Sequence, residues 1–325
     1  MSAFLNVENS LTGRCWVGPE DTLARQAEAL VQATDLPLPV ARILAERGVA
    51  PPEAAGFLSP TLREMLPDPL SLRDMALAAE RLVTAATAGE RIAIFADYDV
   101  DGGASAALLL DWLRRQGRDA TLYIPDRIDE GYGPNAPAMA ALARDHDLIV
   151  CVDCGTLSHE ALAAGAAADI VVLDHHLGGE TLPPALAVVN PNRMDEDGAL
   201  SHLCAAGVVF LTLVQAGRVL RDRGLKEPPL LPLLDLVALA TVADVAPLTG
   251  VNRAFVRQGL VIMARRERPG LVALSDVARL DTAPTSFHLG FMIGPRVNAG
   301  GRVGRADLGA RCLSATEPSD ARHMA

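Results

Sequence analysis

From residue 91 onward, short and fully apolar runs alternate with longer amphipathic ones. The runs 91–96 (RIAIFA), 121–125 (TLYIP), 148–152 (LIVCV), 170–173 (IVVL) and 186–189 (LAVV) are rich in β-branched residues and show no alternation of apolar with polar positions. Each therefore predicts a strand covered on both faces. The stretches 103–116, 134–144 and 158–165 between them carry small and apolar residues at helical spacing. Covered strands alternating with helices specify a doubly wound α/β fold with a mainly parallel sheet. Two further segments, 201–221 and 233–243, are apolar nearly all round and predict buried helices, with a loop over 223–232. Residues 20–75 form short amphipathic patterns broken by prolines, with Pro51 and Pro52 opening one of them. This predicts a helical N-terminal appendage over 1–75 followed by one α/β domain over 76–325.

Composition narrows the class. Half of the 325 residues are hydrophobic and 21% are charged, which excludes a disordered or collagen-like chain. The most apolar stretch, 230–248, contains Pro232, Asp235, Asp244 and Pro247, so it reads as buried core and not as a membrane span. The opening MSAFLNVENS lacks the basic and apolar regions of a secretory leader, and five scattered cysteines make no disulfide framework. The expected compartment is the reduced cytoplasm, and the cysteines are expected to be buried packing residues. The net charge of −11 would repel a polyanion, but it is unevenly placed. Residues 250–325 hold eleven Arg, no Lys and six acids, a net of +5, which leaves −16 for the remainder.

In an open parallel sheet the ligand crevice lies beyond the carboxyl ends of the strands, so the residue following each strand bears on chemistry. Here those positions are acidic. The first strand runs into Asp97, Asp99 and Asp101, the third into Asp153, and the fourth into Asp174, His175 and His176; the buried segment 233–243 runs into Asp244. An isolated DxDxD is as readily a turn of solvated polar residues. Acids and imidazoles delivered to one rim by three strands, however, would repel one another without a cation among them. Oxygen ligands with one or two imidazoles suit Mn²⁺ or Mg²⁺, and five or six ligands exceed the needs of one catalytic ion, which points to a two-metal site for phosphoester hydrolysis. A second constellation, GPRVNAGGRVGR at 294–305, interleaves glycines with Arg296, Arg302 and Arg305 and predicts a phosphate-holding loop. Cys151 and Cys154 are spaced like a CxxC pair, but with no second pair they read as packing residues.

Taken together, DYDVDG at 97–102, VDCGT at 152–156, DHH at 174–176, VVNPN at 188–192, CAAGVVF at 204–210, LVALATVADVAPL at 236–248 and GPRVNAGGRVGRADLGARCL at 294–313 resemble the DHH phosphoesterase superfamily, in particular its single-strand-specific exonucleases. The resemblance runs from about residue 35 to the end. It implies that Asp97, Asp99, Asp101, Asp153, His175 and Asp244 are metal ligands, with Asp153 as the bridge. It also implies that His176 contacts the scissile phosphate, that Asp174 orients the histidines, and that Arg296, Asn298 and Arg302 hold substrate phosphates. Phe95 stands where some members have a metal-binding His. The activity implied is Mn²⁺- or Mg²⁺-dependent degradation of single-stranded DNA from the 5′ end in recombination and repair, by a monomer.

Such exonucleases continue past this last block into a connecting helix, a DHHA1 domain with a Gly-Gly-His motif and an OB-fold, none of which occurs in these 325 residues. The sequence therefore reads as a truncated member with impaired cleavage. Two other readings stay open: a DHH phosphatase acting on short oligonucleotides or nucleotides, and an inactive fragment that only binds metal.

Overall fold

The computed structural model describes residues 3–18, 20–126, 130–303 and 305–325, with backbone only at 301–303. The chain divides into two compact units, Met1–Glu64 and Met65–Ala325. In the first, helices Asp21–Thr34, Leu38–Glu46 and Ala54–Leu58 bury Ala27, Leu30, Ala41, Leu44 and Ala54 in a small core of their own. The sequence pattern places a boundary near residue 75, whereas residues 65–74 belong to the second unit. There Asp68 pairs with Arg218 at 2.6 Å and Asp74 with Arg193 at 2.8 Å.

The second unit is built on a five-stranded parallel sheet: β1 (Ile92–Ala96), β2 (Thr121–Tyr123), β3 (Leu148–Val152), β4 (Asp169–Leu173) and β5 (Ala187–Val189), in spatial order β2-β1-β3-β4-β5. Side chains alternate across a strand, so one face presents Ala93, Phe95, Ile149, Cys151, Ile170 and Val172 to helices Ala136–Asp145 and His159–Ala164. The alternate residues, among them Ile94, Val150 and Val171, are equally buried on the other face. The helices of that side are Met75–Ala88, Val100–Arg114 and Ala205–Asp222. Burial on both faces is why β1, β3, β4 and β5 read as continuous apolar runs. The edge strand β2, expected to be covered alike, leaves Thr121 exposed and Leu122 and Tyr123 half-buried because it has a neighbour on one side only.

The chain leaves β1 toward β2 on one side and reaches β3 on the other, so the order reverses between β1 and β3. That reversal opens a crevice at the carboxyl edge of the sheet. Two elements depart from the sequence pattern. The helix after β1 begins at Val100, not near residue 103, because the Asp99 carboxylate accepts the Gly102 N–H at 3.0 Å and caps it. Residues 294–303, expected as a loop, are helical and continue from a π-turn at Leu289–Ile293. Their glycine at 300 is used for close packing: a Cβ there would lie 3.4 Å from Gly309 N, and one on Gly309 would lie 2.8 Å from Val297 Cγ1. Among the cysteines, 151, 154, 204 and 312 are buried, while Cys15 is exposed, contrary to expectation, in a segment without a core position.

Candidate metal centre

Strand register assembles the site. Ala96 pairs with Val152 and Val152 with Leu173, so the next residues, Asp97, Asp153 and Asp174, emerge side by side from adjacent strands about 4.8 Å apart. Backbone bonds extend the ladder one step, from the Asp97, Asp153 and Asp174 N–H groups to Val152, Leu173 and Val189 carbonyls. Asp97 and Asp153 flank the point where strand order reverses. Asp153 has φ of 60°, a left-handed conformation that Asp tolerates better than most residues and that is met at functional sites. The turn after β1 is equally constrained, since a Cβ on Gly102 would lie 2.4 Å from the Asp97 carbonyl oxygen.

Three overlapping groups offer ligand atoms within 4.8 Å of one another: Asp97, Asp99 and Asp153; Asp153, His175 and His176; Asp101, His175 and Asp244. His175 Nε2 lies 3.2 Å from Asp153 Oδ1, 3.7 Å from Asp101 Oδ2 and 3.9 Å from Asp244 Oδ2. All six residues expected as ligands are thus brought together. Asp244 reaches the group from the C-terminal end of helix Leu234–Ala243. Asp101 has a second use, accepting the backbone N–H groups of Ala205 and Ala206 at 2.6 and 2.8 Å at the start of helix Ala205–Asp222. Phe95 is packed in the sheet core, stacked on Tyr123 with ring centroids 5.3 Å apart, and supplies no ligand.

The electrostatics are those of a cation site. Burial, followed by repulsion from Asp99, raises the Asp97 pKa to about 7. Burial, with Asp244 and Asp99, raises that of Asp101 to about 8 against the helix N–H groups that lower it. Asp153 is pushed well up by burial and by Asp101 and Asp99, and Asp244 is raised by burial while His175 opposes the shift. Burial lowers the His175 pKa, so its Nε2 is available as a neutral donor. Asp97 Oδ1 and Asp153 Oδ1 are buried without a hydrogen-bond partner among the described residues. The 3.2 Å between His175 and Asp153 Oδ1 lacks hydrogen-bond geometry, so the two groups converge on a common space. Buried oxygens left this way cost about 1–3 kcal/mol each, which divalent ions would offset. The donor set fits Mn²⁺ or Mg²⁺.

Asp174 is absent from these groups and does different work. Its carboxylate accepts the Thr156 N–H (3.1 Å) and hydroxyl (2.6 Å), the His175 N–H (2.8 Å) and His176 Nδ1 (2.8 Å). Burial would raise its pKa, but the bonds from His176 and Thr156 outweigh burial and hold it below the carboxylate range. The same bond raises the His176 pKa. The other ring nitrogen, Nε2, lies 3.2 Å from Tyr132 Oη. The loop after β5 closes the arrangement: Asn190 Nδ2 donates to Thr156 Oγ1 and the His176 carbonyl, both at 2.8 Å, and Asn192 Nδ2 to the His175 carbonyl at 2.5 Å. Thr156, Tyr132, Asn190 and Asn192 had no assigned part in the sequence pattern. Asn190 could have been found, because it directly follows a strand as the acids do.

The arginine block lies beside the centre but not in it. A Cβ on Gly294 would lie 3.1 Å from Ala243 Cβ and 3.9 Å from Val100, next to Asp244 and Asp99. Arg296 is exposed and donates to the Met292 carbonyl, Arg305 pairs with Asp307 at 3.0 Å, and Asn298 Oδ1 is buried without a partner among the described residues. The Arg302 side chain lies outside the described residues.

Residues 91–241 match the DHH family, N-terminal domain. These residues thus form a DHH domain, and the similarity runs beyond them to the RecJ proteins. The single-stranded-DNA-specific exonuclease RecJ of Dickeya dadantii is 40% identical over 319 residues, 93% of this chain and 54% of that protein. Escherichia coli RecJ is 38% identical over 90% of this chain and 52% of its own length. Among solved structures, exonuclease RecJ bound to manganese matches with a TM-score of 0.70 at 34% identity, over 78% of this chain and 64% of that one. Thermus thermophilus RecJ in complex with Mn²⁺ matches with a TM-score of 0.76 at 31% identity, over 92% and 42%. The chain spans about half the length of the curated relatives it matches. Among its described residues no helix is long and apolar enough to cross a membrane.

Proposed function

We propose that this chain carries the catalytic centre of a RecJ-type exonuclease, which hydrolyses single-stranded DNA from its 5′ end in recombination and repair. The observation that carries this is the register that sets Asp97, Asp153 and Asp174 abreast at the sheet's switch point, with His175, Asp101 and Asp244 around them. Asp97, Asp99 and Asp153 would hold one ion, and Asp101, Asp153, His175 and Asp244 the other, with Asp153 shared. When bound, a pair of Mn²⁺ or Mg²⁺ ions acidifies a water for in-line attack on phosphorus and stabilises the departing oxygen.

The chain's own groups do the rest. His176, whose pKa the bond to Asp174 raises, places its ring beside the acids and is assigned to a non-bridging oxygen of the scissile phosphate. Asp174 holds the ring in that orientation and stays ionised. Arg296, Asn298, Arg302 and Arg305 are assigned to phosphates of the strand further from the cut. We take the protein to be a monomer in the cytoplasm, the second reading being supported by five free cysteines.

The test is a single-turnover assay with the chain in excess over a 5′-phosphorylated oligonucleotide. Nucleotide release should need Mn²⁺ or Mg²⁺, cease with a chelator, and be lost in Asp153→Asn. Release that persists in Asp153→Asn, or that is as fast from a blunt duplex, would overturn the proposal.

A further inference from the structure

Phe287 and Phe291 stack on each other with ring centroids 5.1 Å apart and planes 27° apart, yet they are 59% and 73% exposed. The same segment buries Leu289 and Ile293 completely. It is anchored by one face and holds two parallel phenyl rings out into water on the other. Its turn at Leu289–Ile293 is a π-helix, a rare conformation that is frequent at functional sites. The His288 ring meets Phe287 edge-on, with centroids 5.8 Å apart.

The position of the pair is specific. A Cβ on Gly290 would lie 3.4 Å from Val242, and one on Gly294 3.1 Å from Ala243, so the segment is seated on the end of helix Leu234–Ala243 that delivers Asp244. The chain then runs directly into Arg296, within the C-terminal region of net +5. Exposed rings beside a cationic segment and next to a phosphoryl-transfer centre match the elements by which single strands are held: bases stack on aromatic faces while cations follow the backbone. Two rings are far too little for a stable contact between copies, which takes about 800 Å² per partner.

We propose that Phe287 and Phe291 form a stacking platform for the bases of a single strand whose backbone enters the carboxylate centre along the Arg296 side. The proposal rests on the nuclease reading for its substrate class. Stacking is sequence-tolerant, so the platform favours unpaired bases of any identity and rejects a duplex, whose bases are already stacked.

The test uses the 325-residue chain with Ca²⁺ in place of Mn²⁺, a labelled dT15 strand, and an abasic strand of equal length, at low salt with anisotropy as the readout. The wild type should bind dT15 roughly tenfold more tightly than the abasic strand. F287A/F291A should bring dT15 down to the abasic level and leave abasic binding unchanged, whereas F291W should retain the preference. Equal losses on both strands, an unchanged dT15 affinity, or a wild type that binds neither strand would overturn the platform. So would loss of self-association in F287A/F291A with dT15 affinity intact, which would assign the rings to a protein contact. Base-dependent binding without any Mn²⁺-dependent hydrolysis would sink the nuclease reading and leave the platform standing.

Discussion

His176 Nδ1 lies 2.8 Å from Asp174 Oδ1, and the same carboxylate is held by the Thr156 N–H and hydroxyl. The aspartate opening the D-H-H triplet is therefore tied to a histidine and a threonine, while its neighbours in register, Asp97 and Asp153, each leave an oxygen without a partner among the described residues. Three carboxylates on adjacent strands thus divide into two that would face a cation and one that fixes an imidazole.

Asp174→Asn removes the charge that raises the His176 pKa and offers Nδ1 a weaker acceptor. Activity should fall about 10- to 100-fold. Since His176 would lose its proton at lower pH, the alkaline limb of the rate profile should move to lower pH. A variant with an unmoved alkaline limb would contradict the assignment, and NMR titration of His176 reads the same shift directly.

Asp153→Asn should abolish hydrolysis with the fold intact, because Asn is isosteric and accepts the left-handed backbone that Asp153 adopts. At pH 8, with a chelator present, the variant should melt at a higher temperature than the wild type, since one of the mutually repelling buried carboxylates is gone. Calorimetry with Mn²⁺ should show at least one site lost.

The metal-free wild type should lose stability as pH rises. Asp97 and Asp101 have folded-state values of about 7 and about 8 against an ordinary value of 3.8. Their contribution is fully present below pH 3.8 and is lost as pH climbs through the folded values, because the unfolded chain gives up these protons more readily. Melting temperature in chelator should therefore drop between pH 5 and pH 8. Adding Mn²⁺ should remove most of that drop, since bound ions stabilise the ionised form; a chelated protein equally stable at both pH values would refute the buried, repelling arrangement.

Gly102→Ala places a methyl group 2.4 Å from the Asp97 carbonyl oxygen, a backbone atom that cannot swing aside. Overpacking of this kind costs about 1–3 kcal/mol and displaces the β1 turn. Urea unfolding should report that loss, and Mn²⁺ affinity should fall with it. Gly103→Ala, where the Cβ would meet Ala310 at 3.6 Å, should be tolerated.

The strands and the acids that follow them were legible in the chain because both signals are local. A strand buried on both faces has to be apolar throughout, and a residue placed just after it has to lie at the carboxyl edge whatever the rest of the fold does. On that ground Asp97, Asp99, Asp101, Asp153, Asp174, His175 and His176 could be grouped in advance, with Asp244 after a buried helical segment; the resemblance to the DHH superfamily, not position, singled out six of these as ligands. The helix over 294–303 was not legible, because alternating Gly and Arg suits a phosphate loop as well as a helix packed closely on Gly309; only the contact with that second helix distinguishes them. Asp101 likewise read as one more acid in a run, since the N–H groups of Ala205 and Ala206 that it accepts lie more than a hundred residues away in the chain.

By itself the sequence determined the α/β class, the alternation of covered strands and helices, and which carboxylates reach the rim. These follow from hydrophobic periodicity and from the chain's short reach after each strand. Tertiary structure decided the strand order β2-β1-β3-β4-β5, the register that sets Ala96, Val152 and Leu173 level, and so the division of labour between Asp153, which faces His175, and Asp174, which holds His176. Register depends on hydrogen bonds between segments distant in sequence, and a carboxylate's pKa depends on which other charges share its cavity. Neither is encoded in any window of residues short enough to be read alone.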